Sequence, residues 1–438
     1  MRSGLRNFIT NFGSKIMMVL FGLASQSIIA RLLGPSGRGS YAVALLFANI
    51  LTMLFVVGTD TAGRYYVLNR RFTLSEGVTH ILVCGLLGCV LSIGVGLLIM
   101  KFPLSFLTKS SPLCFYLSLA TIPLSLFSYA FLTLLAANDK FGWYFLIGAG
   151  SSFLGLILNI VFLWFLRLGV AGVIMALSVN QAVTIVVVLM VLRIKYGLKL
   201  ARPTWQGVID MFSYGGRYYV GKISNKVNFQ IGNIILAFFA SQADIGLFSL
   251  AVGITSYIML IPDSLGDIMM PRIAADLRGK PELTAQACRM VGLITGSALL
   301  ILVLFAKPII ILLFSRAFEP MVPILQIVTV GFFFRSACKM IEYYFLMTNR
   351  PGVSSTATAI GVAVNLFLMW WLLPIMGLFG AAISMSISYI ISSLILVLLY
   401  CRKTGTGFTE LCCQRRTDWQ LLSESARRLY VKLNGQVP

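Results

Sequence analysis

Long apolar segments separated by short polar stretches make up most of this chain. Each segment is bounded by charged residues or by glycine, proline or asparagine, and each is long enough for a bilayer core, which needs about 20 apolar residues per helix. The pattern predicts an all-α integral membrane protein with about twelve transmembrane helices. The twelve predicted spans are 8–33, 40–62, 77–100, 113–137, 142–166, 169–192, 213–240, 244–270, 287–314, 320–347, 352–373 and 377–400.

The composition supports this interpretation. Of the 438 residues, 58% are hydrophobic and only 11% are charged, and the mean hydropathy is +0.90. Soluble domains carry about 25% charged residues, so lipid must solvate most of this surface. A cleaved signal peptide is the alternative for the first segment. That segment is longer than a signal-peptide core and no small-residue cleavage site follows it, so we expect a retained span.

The net charge of +21 does not indicate nucleic-acid binding, because the basic residues flank the apolar segments instead of forming one tract. Flanking lysines and arginines set membrane orientation, with the excess on the cytoplasmic side. If the N-terminus is cytoplasmic, 22 of them lie on the inner side and seven, Arg38 among them, on the outer side. We therefore expect both termini in the cytoplasm.

The two halves of the chain repeat each other. The segment GRGSYAVALLFANILTML matches DIGLFSLAVGITSYIML and places Gly39 over Gly246, an offset of 207. The segment LNIVFLWFLRLGVAG matches VNLFLMWWLLPIMGLFG and places Asn159 over Asn365, an offset of 206. Chance matching of apolar sequence is the alternative. The repeat predicts two parallel lobes related by a pseudo-two-fold axis along the membrane normal. The expected domains are a six-helix lobe 1–192, a cytoplasmic linker 193–212, a six-helix lobe 213–400 and a basic cytoplasmic tail 401–438.

Several lysines and arginines lie inside the predicted spans or at their ends. An ionisable side chain there is costly and normally faces a cavity or a partner. Lys222 and Lys226 are four positions apart, as are Arg335 and Lys339, so each pair shares a helix face. Snorkelling from span ends is the alternative. We predict a cationic cavity that binds an anionic substrate, lined by Lys15, Arg64, Lys222, Lys226, Arg335 and Lys339.

Acidic and amide residues in the spans form two further sets of candidates. Glu342 follows Lys339 by three positions, so a salt bridge on that face is the alternative to a coupling role. Amides in membranes most often join helices by hydrogen bonds, which is the alternative to sugar binding. The candidates for coupling to a proton or sodium ion are Asp60, Asp263 and Glu342. The candidates for sugar contacts are Gln26, Asn49, Asn159 and Asn365.

Motifs for other functions are missing from the sequence. The glycine-rich segment 34–39 lacks the Gly-Lys-Ser/Thr ending of a phosphate-binding loop, and the lone His80 with scattered cysteines predicts no metal site. No predicted outer loop carries the paired carboxylates that a glycosyltransferase needs. We expect no catalytic residues, no metal and no cofactor beyond a coupling ion, H⁺ or Na⁺.

Two long segments resemble a known family. The segment SQSIIARLLGPSGRGSYAVALLFANILTMLFVVGTDTAGRYYV resembles the first helical hairpin of Wzx-type polysaccharide-repeat flippases, in the multidrug/oligosaccharidyl-lipid/polysaccharide exporter superfamily. The segment MTNRPGVSSTATAIGVAVNLFLMWWLLPIMGLFGAAIS resembles the same family from span ten to span twelve. The resemblance covers nearly the whole chain, but its motifs are loose patterns of glycine and apolar residues.

The resemblance implies a V-shaped pair of lobes around a central cavity, as in the related multidrug transporters. It implies transport of undecaprenyl-diphosphate-linked oligosaccharide units for O-antigen, capsule or exopolysaccharide assembly, with polysaccharide polymerase and chain-length machinery as candidate partners. The excess of basic residues in the spans agrees with a diphosphate substrate. The alternatives are a cation-coupled multidrug exporter and a membrane polymerase or ligase acting on the same lipid-linked glycan.

Overall fold

A computed structural model describes residues 2–55, 58–137, 141–266, 281–348 and 350–412. Every regular element within these ranges is a helix, as predicted, and the predicted tail lies outside the described residues from 413 onward. The α-helices are α1 (Arg2–Phe55), α2 (Thr59–Leu68), α3 (Leu74–Ile99), α4 (Pro112–Ala137), α5 (Phe141–Ile160), α6 (Gly169–Tyr196), α7 (Trp205–Phe239), α8 (Gln242–Ser256), α9 (Pro281–Leu304), α10 (Ala306–Phe314), α11 (Val322–Met347), α12 (Pro351–Met376), α13 (Leu378–Thr404) and α14 (Phe408–Cys412).

The predicted number of spans agrees with these helices. Ten stretches of the described residues are long and apolar enough to cross a membrane. One of them, Gly13–Phe55, holds both of the first two spans, because α1 breaks at Gly34, where φ is +67°. The seventh predicted span lies within α7, whose described apolar part is Phe229–Phe239. The chain is a multi-pass membrane protein with about twelve transmembrane helices.

Two predicted spans are interrupted in the structure. Span two was expected to run unbroken to residue 62, but α2 starts at Thr59, directly after Gly58, which has a left-handed φ of +66°. Span nine was expected to be continuous over 287–314, but it is interrupted between α9 and α10. Pro308 explains the interruption, since its ring would clash with the Leu304 carbonyl in an unbroken helix.

Backbone packing divides the chain into two compact units. One comprises Met1–Ile254 with Lys307–Ile324, and the other comprises Thr255–Ala306 with Leu325–Pro438. These units are defined by packing, whereas the lobes 1–192 and 213–400 were inferred from the internal repeat. That division into lobes, with its linker 193–212, stays a prediction.

In the first unit, α1 packs against α4 and α5, while α2 and α3 pack against α7. Arg31 on α1 donates hydrogen bonds to the carbonyls of Leu312 and Leu313, the former through Nη2 and the latter through Nε at 2.8 Å. Basic side chains commonly satisfy the last carbonyls of a helix in this way. The C-terminal end of α10 is thereby held against α1.

In the second unit, α13 presents a line of buried serines to its neighbours. The Ser388 hydroxyl donates to the Gly361 carbonyl on α12 at 2.7 Å, and the Ser386 hydroxyl donates to the Ile327 carbonyl on α11 at 2.7 Å. A Cβ atom at Gly331 would lie 2.7 Å from the Ser386 Cα. Small residues and hydroxyls let these helices approach closely, as is typical in membranes.

Candidate functional site

Two glycines that the internal repeat relates to each other are in direct contact. Gly39 follows the break in α1, and Gly246 lies near the start of α8. A Cβ atom on Gly39 would lie 1.7 Å from the Gln242 carbonyl oxygen, and one on Gly246 would lie 2.0 Å from the Pro35 carbonyl oxygen. The two backbones therefore touch with no side chain between them. The two glycines are positions that the sequence repeat relates at an offset of 207.

The loop between α3 and α4 is tied to the start of α8 beside this contact. The Lys109 ammonium group donates to the Ala240 carbonyl, and the Gln242 amide donates to the Lys109 carbonyl at 3.0 Å. The Ser36 hydroxyl donates to the Gln242 side-chain oxygen at 2.8 Å. Burial lowers the pKa of the Lys109 ammonium group. These hydrogen bonds hold the part of α1 that follows the break at Gly34 against the start of α8.

A polar cavity of about 230 Å³ lies on the same helices. On α1, the lining residues Ala42, Leu45 and Asn49 follow at intervals of three and four. They therefore share one helix face. Further lining residues come from α7 and α8. The polar lining residues are Gln26, Arg38, Tyr41, Asn49, Gln230, Asn233 and Ser249.

The lining of this cavity follows the repeat. Five lining residues of α1 each have another lining residue 207 positions later, the offset that separates Gly39 from Gly246. The pairs are Gln26 with Asn233, Arg38 with Ile245, Ala42 with Ser249, Leu45 with Val252, and Leu46 with Gly253. The cavity is therefore built from equivalent positions of the two halves of the chain.

Two repeat-related amides in the cavity have unsatisfied oxygens. Oε1 of Gln26 and Oδ1 of Asn233 are buried and accept no hydrogen bond within the part of the chain that the structure describes. The Asn233 amide nitrogen donates to Oε1 of Gln230 at 3.3 Å. A buried polar atom without a partner costs about 1–3 kcal/mol. These oxygens are therefore suited to a ligand that brings hydrogen-bond donors.

Arg38 supplies the positive charge of the cavity. Sequence reasoning placed it on the outer side among the solvated flanking charges, but its side chain is only 8% exposed and its guanidinium group lies 4.9 Å from the centroid of the Tyr41 ring. No carboxylate is among the described residues that line the cavity. The signal that could have identified Arg38 is its position next to Gly39, where the close helix contact encloses it.

A charged cluster occupies a different place, in the second unit. Lys339 Nζ on α11 lies 3.8 Å from Asp263 Oδ1 and 3.4 Å from Glu342 Oε2. The Tyr343 hydroxyl donates to Asp263 Oδ1 at 2.9 Å. The side chains of Lys339 and Glu342 are 19% and 12% exposed, whereas that of Asp263 is 45% exposed. The ammonium group of Lys339 therefore lies among carboxylates that compensate its charge.

Arg335 lies one turn before Lys339 and contacts an aromatic ring. Its guanidinium group is 5.1 Å from the centroid of the Tyr389 ring on α13, within the range of a cation–π interaction. Phe332 packs edge-on against the same ring, with the centroids 5.3 Å apart. The Tyr389 hydroxyl is buried and makes no hydrogen bond among the described residues. The structure thus brings together four predicted site residues, Arg335, Lys339, Asp263 and Glu342.

Two other charged candidates, Lys15 and Arg64, lie outside the lining of the cavity. Lys15 Nζ lies 6.0 Å from the centroid of the Phe145 ring, and Arg64 is half-buried on α2. The side chains of Asp60, Lys222 and Lys226 lie outside the described residues, so their roles stay predictions.

The four amide candidates divide into three environments. Gln26 and Asn49 line the cavity. Asn159 on α5 donates to Ser25 Oγ on α1 and to the Gly155 carbonyl, both at 2.9 Å, which is the helix-joining use considered above. Asn365, its repeat equivalent on α12, is fully buried, and neither of its amide atoms is hydrogen-bonded within the described ranges.

Known proteins similar to this chain agree on its class. The family of polysaccharide biosynthesis proteins matches residues 5–274. A Shigella flexneri protein named as an O-antigen transporter is 22% identical over 413 residues, which are 91% of this chain and 98% of that protein.

Solved structures show a shared fold. An inward-facing multidrug resistance transporter of the MATE family, in the MOP superfamily, has a TM-score of 0.75 at 14% identity and covers 91% of this chain and 98% of its own. The lipid II flippase MurJ in an inward closed conformation has a TM-score of 0.72 at 17% identity and covers 93% and 89%. The fold of this chain is that of these two transporters.

Proposed function

This chain belongs to the family of polysaccharide biosynthesis proteins, and from that premise we propose that it is a flippase for lipid-linked glycans. Its substrate is an oligosaccharide repeat unit on undecaprenyl diphosphate. It moves this unit across the bacterial cytoplasmic membrane for the assembly of O-antigen, capsule or exopolysaccharide. The name of the Shigella relative supports this substrate class.

The observation that carries the proposal is the chemistry of the 230 Å³ cavity. Its polar wall consists of amides, hydroxyls and one guanidinium group, with no carboxylate among the described lining residues. A transporter of cationic drugs needs acidic groups to offset the charge of its substrate on desolvation. Amides and hydroxyls instead match the hydroxyl groups of a sugar. The cavity therefore favours a glycan over a cationic drug as substrate.

We further propose that transport proceeds by alternating access. In the orientation inferred from the flanking charges, the contact of Gly39 with Gly246 closes the periplasmic end of spans two and eight. The cavity next to this contact then receives the head group from the cytoplasmic side. Cysteine labelling of residues 195–205 from the cytoplasm, and of 103–110 from the periplasm, tests this orientation.

The cationic residues have a separate part in the proposal. Lys15, Arg64, Lys222, Lys226, Arg335 and Lys339 offset the charge of the diphosphate as it leaves water, through charge-assisted hydrogen bonds. A proton or sodium ion that exchanges at Asp60, Asp263 or Glu342 drives the cycle. A polysaccharide polymerase and chain-length machinery receive the product on the periplasmic side.

A flipping assay in proteoliposomes tests the function and the proposed closure together. The full chain is reconstituted with a fluorescent undecaprenyl-diphosphate oligosaccharide, and the protected fraction is followed with a membrane-impermeant quencher. The wild type should move the lipid across the bilayer. Gly39→Ala should lower the rate at least ten-fold, because its methyl group cannot fit 1.7 Å from the Gln242 carbonyl oxygen. Gly150→Ala is the matched control, since a Cβ atom there meets nothing within 4 Å.

Two results would count against the proposal in different ways. The wild-type protein could insert into the membrane and move a cationic dye, yet leave the lipid-linked glycan on its original side. This result would favour a drug exporter over a flippase. Full transport by Gly39→Ala would leave the flippase proposal in place and show that transport does not require the glycine contact.

A further inference from the structure

We propose that the cavity between α1, α7 and α8 binds one sugar ring of the substrate and recognises its hydroxyl donors through Gln26 and Asn233. This inference rests on the proposed function, which supplies a glycan as the ligand. It adds which part of the head group enters the cavity and which chemical feature of that part is selected.

The volume of the cavity sets the size of the ligand. At about 230 Å³ it is smaller than the sites that enclose drug-sized molecules, which span roughly 300–1,000 Å³. A whole oligosaccharide repeat unit does not fit in this space. A single sugar ring does, with the rest of the head group outside the cavity.

Three oxygen atoms of the cavity wall can act as hydrogen-bond acceptors but not as donors. Oε1 of Gln26 and Oδ1 of Asn233 are buried and accept no hydrogen bond among the described residues. The Ser249 hydroxyl already donates to the Gly246 carbonyl at 3.2 Å, so its oxygen is left to accept. Because these three residues line the cavity from α1, α7 and α8, the ligand must supply hydrogen-bond donors to three helices.

Close contacts hold part of this wall in place. A Cβ atom at Gly232 would lie 2.9 Å from Cε1 of Phe248, so α7 packs directly against a buried ring of α8 beside Asn233. The Asn233 amide nitrogen donates to Oε1 of Gln230 at 3.3 Å, which leaves the oxygen of the same amide for a ligand. A wall that is fixed before binding loses little conformational entropy when the ligand arrives.

The three acceptors distinguish the two parts of the head group. Ionised phosphate oxygens are acceptors, so a diphosphate placed here would leave the buried amide oxygens unpaired, which is costly. Each hydroxyl group of a sugar ring has one donor and two acceptor lone pairs, so one ring can supply several donors at once. The ring, and not the diphosphate, therefore binds beside Gln26 and Asn233.

The test removes one donor at a time from a lipid probe. The parent probe is undecaprenyl diphosphate with a single glucose, and in each analogue a fluorine atom, which cannot donate, replaces one hydroxyl group. All probes are assayed with the full chain in proteoliposomes, as rate over half-saturating concentration. Leaving a buried amide oxygen unpaired lowers affinity by about ten-fold. We therefore expect the wild type to move at least two analogues about ten-fold less efficiently than the parent.

Two variants assign those ring positions to the wall. Gln26→Leu removes one acceptor, so the parent and one of the disfavoured analogues should become equal substrates. Asn233→Leu should have the same effect at a different ring position, because its oxygen comes from another helix. Gln206→Leu removes an exposed amide at the start of α7 and should keep every wild-type ratio. Gln26→Met removes the same oxygen with an unbranched side chain and serves if Gln26→Leu does not insert stably.

Each outcome decides the inference. Equal transport of the parent and every analogue by the wild type would assign the amide oxygens to bound water, overturn the sugar subsite and leave the flippase in place. Unequal ratios that persist in both Gln26→Leu and Asn233→Leu would place the ring elsewhere and also overturn it. Transport of no single-sugar probe, with a longer lipid-linked oligosaccharide still moved, would overturn it because one ring would not be the recognised unit. Transport of no glycan lipid at all would overturn the proposed function itself.

Discussion

The cavity of the first unit and the charged cluster of the second unit solve the same problem differently. Both place polar groups among apolar helices, where each unsatisfied group is costly. In the cluster, the positive charge of Lys339 is compensated by Glu342 and Asp263. In the cavity, the amide oxygens of Gln26 and Asn233 accept no hydrogen bond from the residues that the structure describes. The charged groups of the cluster thus compensate one another, whereas we expect a ligand to satisfy the amide oxygens of the cavity.

This difference leads to separate expectations for mutations. Breaking a buried ion pair leaves an uncompensated charge and costs about 3–5 kcal/mol of stability. Removing the unsatisfied amide oxygen of Gln26 costs no hydrogen bond among the described residues. Breaking the buried pair of Lys339 with Glu342 should therefore lower stability, whereas substitutions of the cavity amides should act mainly on transport.

The largest effect is expected for Lys339→Met. This change leaves Glu342, whose side chain is only 12% exposed, without its nearest cation. We expect a loss of about 3 kcal/mol in the free energy of unfolding, at the low end of the range because Lys339 is itself 19% exposed. The thermal unfolding of the full chain in detergent, followed by size-exclusion chromatography, measures it.

The double variant Lys339→Met with Glu342→Gln distinguishes the two roles considered for Lys339. If the lysine serves mainly to pair the carboxylate, the second substitution restores most of the stability and much of the transport. If it binds the diphosphate, stability returns but transport stays at least ten-fold low. Restored stability with restored transport would remove Lys339 from the predicted substrate-binding set.

A smaller effect should separate the two repeat-related asparagines. Asn159→Leu removes hydrogen bonds to Ser25 and Gly155 and should cost about 1 kcal/mol. Asn365→Leu removes an amide that has no hydrogen bond among the described residues, so stability should stay equal or rise by about 1 kcal/mol. The same unfolding assay compares them. A clear loss of stability in Asn365→Leu would show that its amide is satisfied by bound water.

Most of the fold was predictable from the sequence, because lipid imposes a simple requirement. A span needs about 20 apolar residues, and the chain displays each such segment between polar residues. The interruptions at Gly58 and Phe305 depend on local backbone effects. Gly58 takes a left-handed conformation and Pro308 interrupts a helix whose apolar pattern continues through it. Both residues can be read from the sequence, but a hydropathy profile does not account for their effects on the backbone.

The candidate site was predictable only in part, because contacts between distant spans are not periodic. The repeat predicted the equivalence of Gly39 and Gly246, and the structure adds their direct contact. Gln26 and Asn49 were selected for their chemistry, and they share one cavity. Arg38 was missed because a basic residue near a span end usually reaches water. Arg38 is buried beside the contact of Gly39 with Gly246, and these two glycines are 207 residues apart in the sequence. A local sequence pattern does not predict such a contact.

The smallest change in stability is expected for Asp263→Asn. The effect of this variant on gradient-driven transport identifies the energy source. The Asp263 side chain is 45% exposed and lies 3.8 Å from Lys339, so its ion pair is worth no more than about 0.5 kcal/mol. The new amide oxygen can still accept the hydrogen bond from the Tyr343 hydroxyl. If Asp263 exchanges the coupling ion, glycan transport driven by a proton or sodium gradient should fall to its gradient-independent rate while unfolding is unchanged.

Glu282→Gln, at an exposed carboxylate of the same unit, is the control and should keep gradient-driven transport. Unchanged gradient-driven transport in both Asp263→Asn and Glu342→Gln would leave neither carboxylate of the cluster as a coupling site, and a drive by the membrane potential would then be favoured.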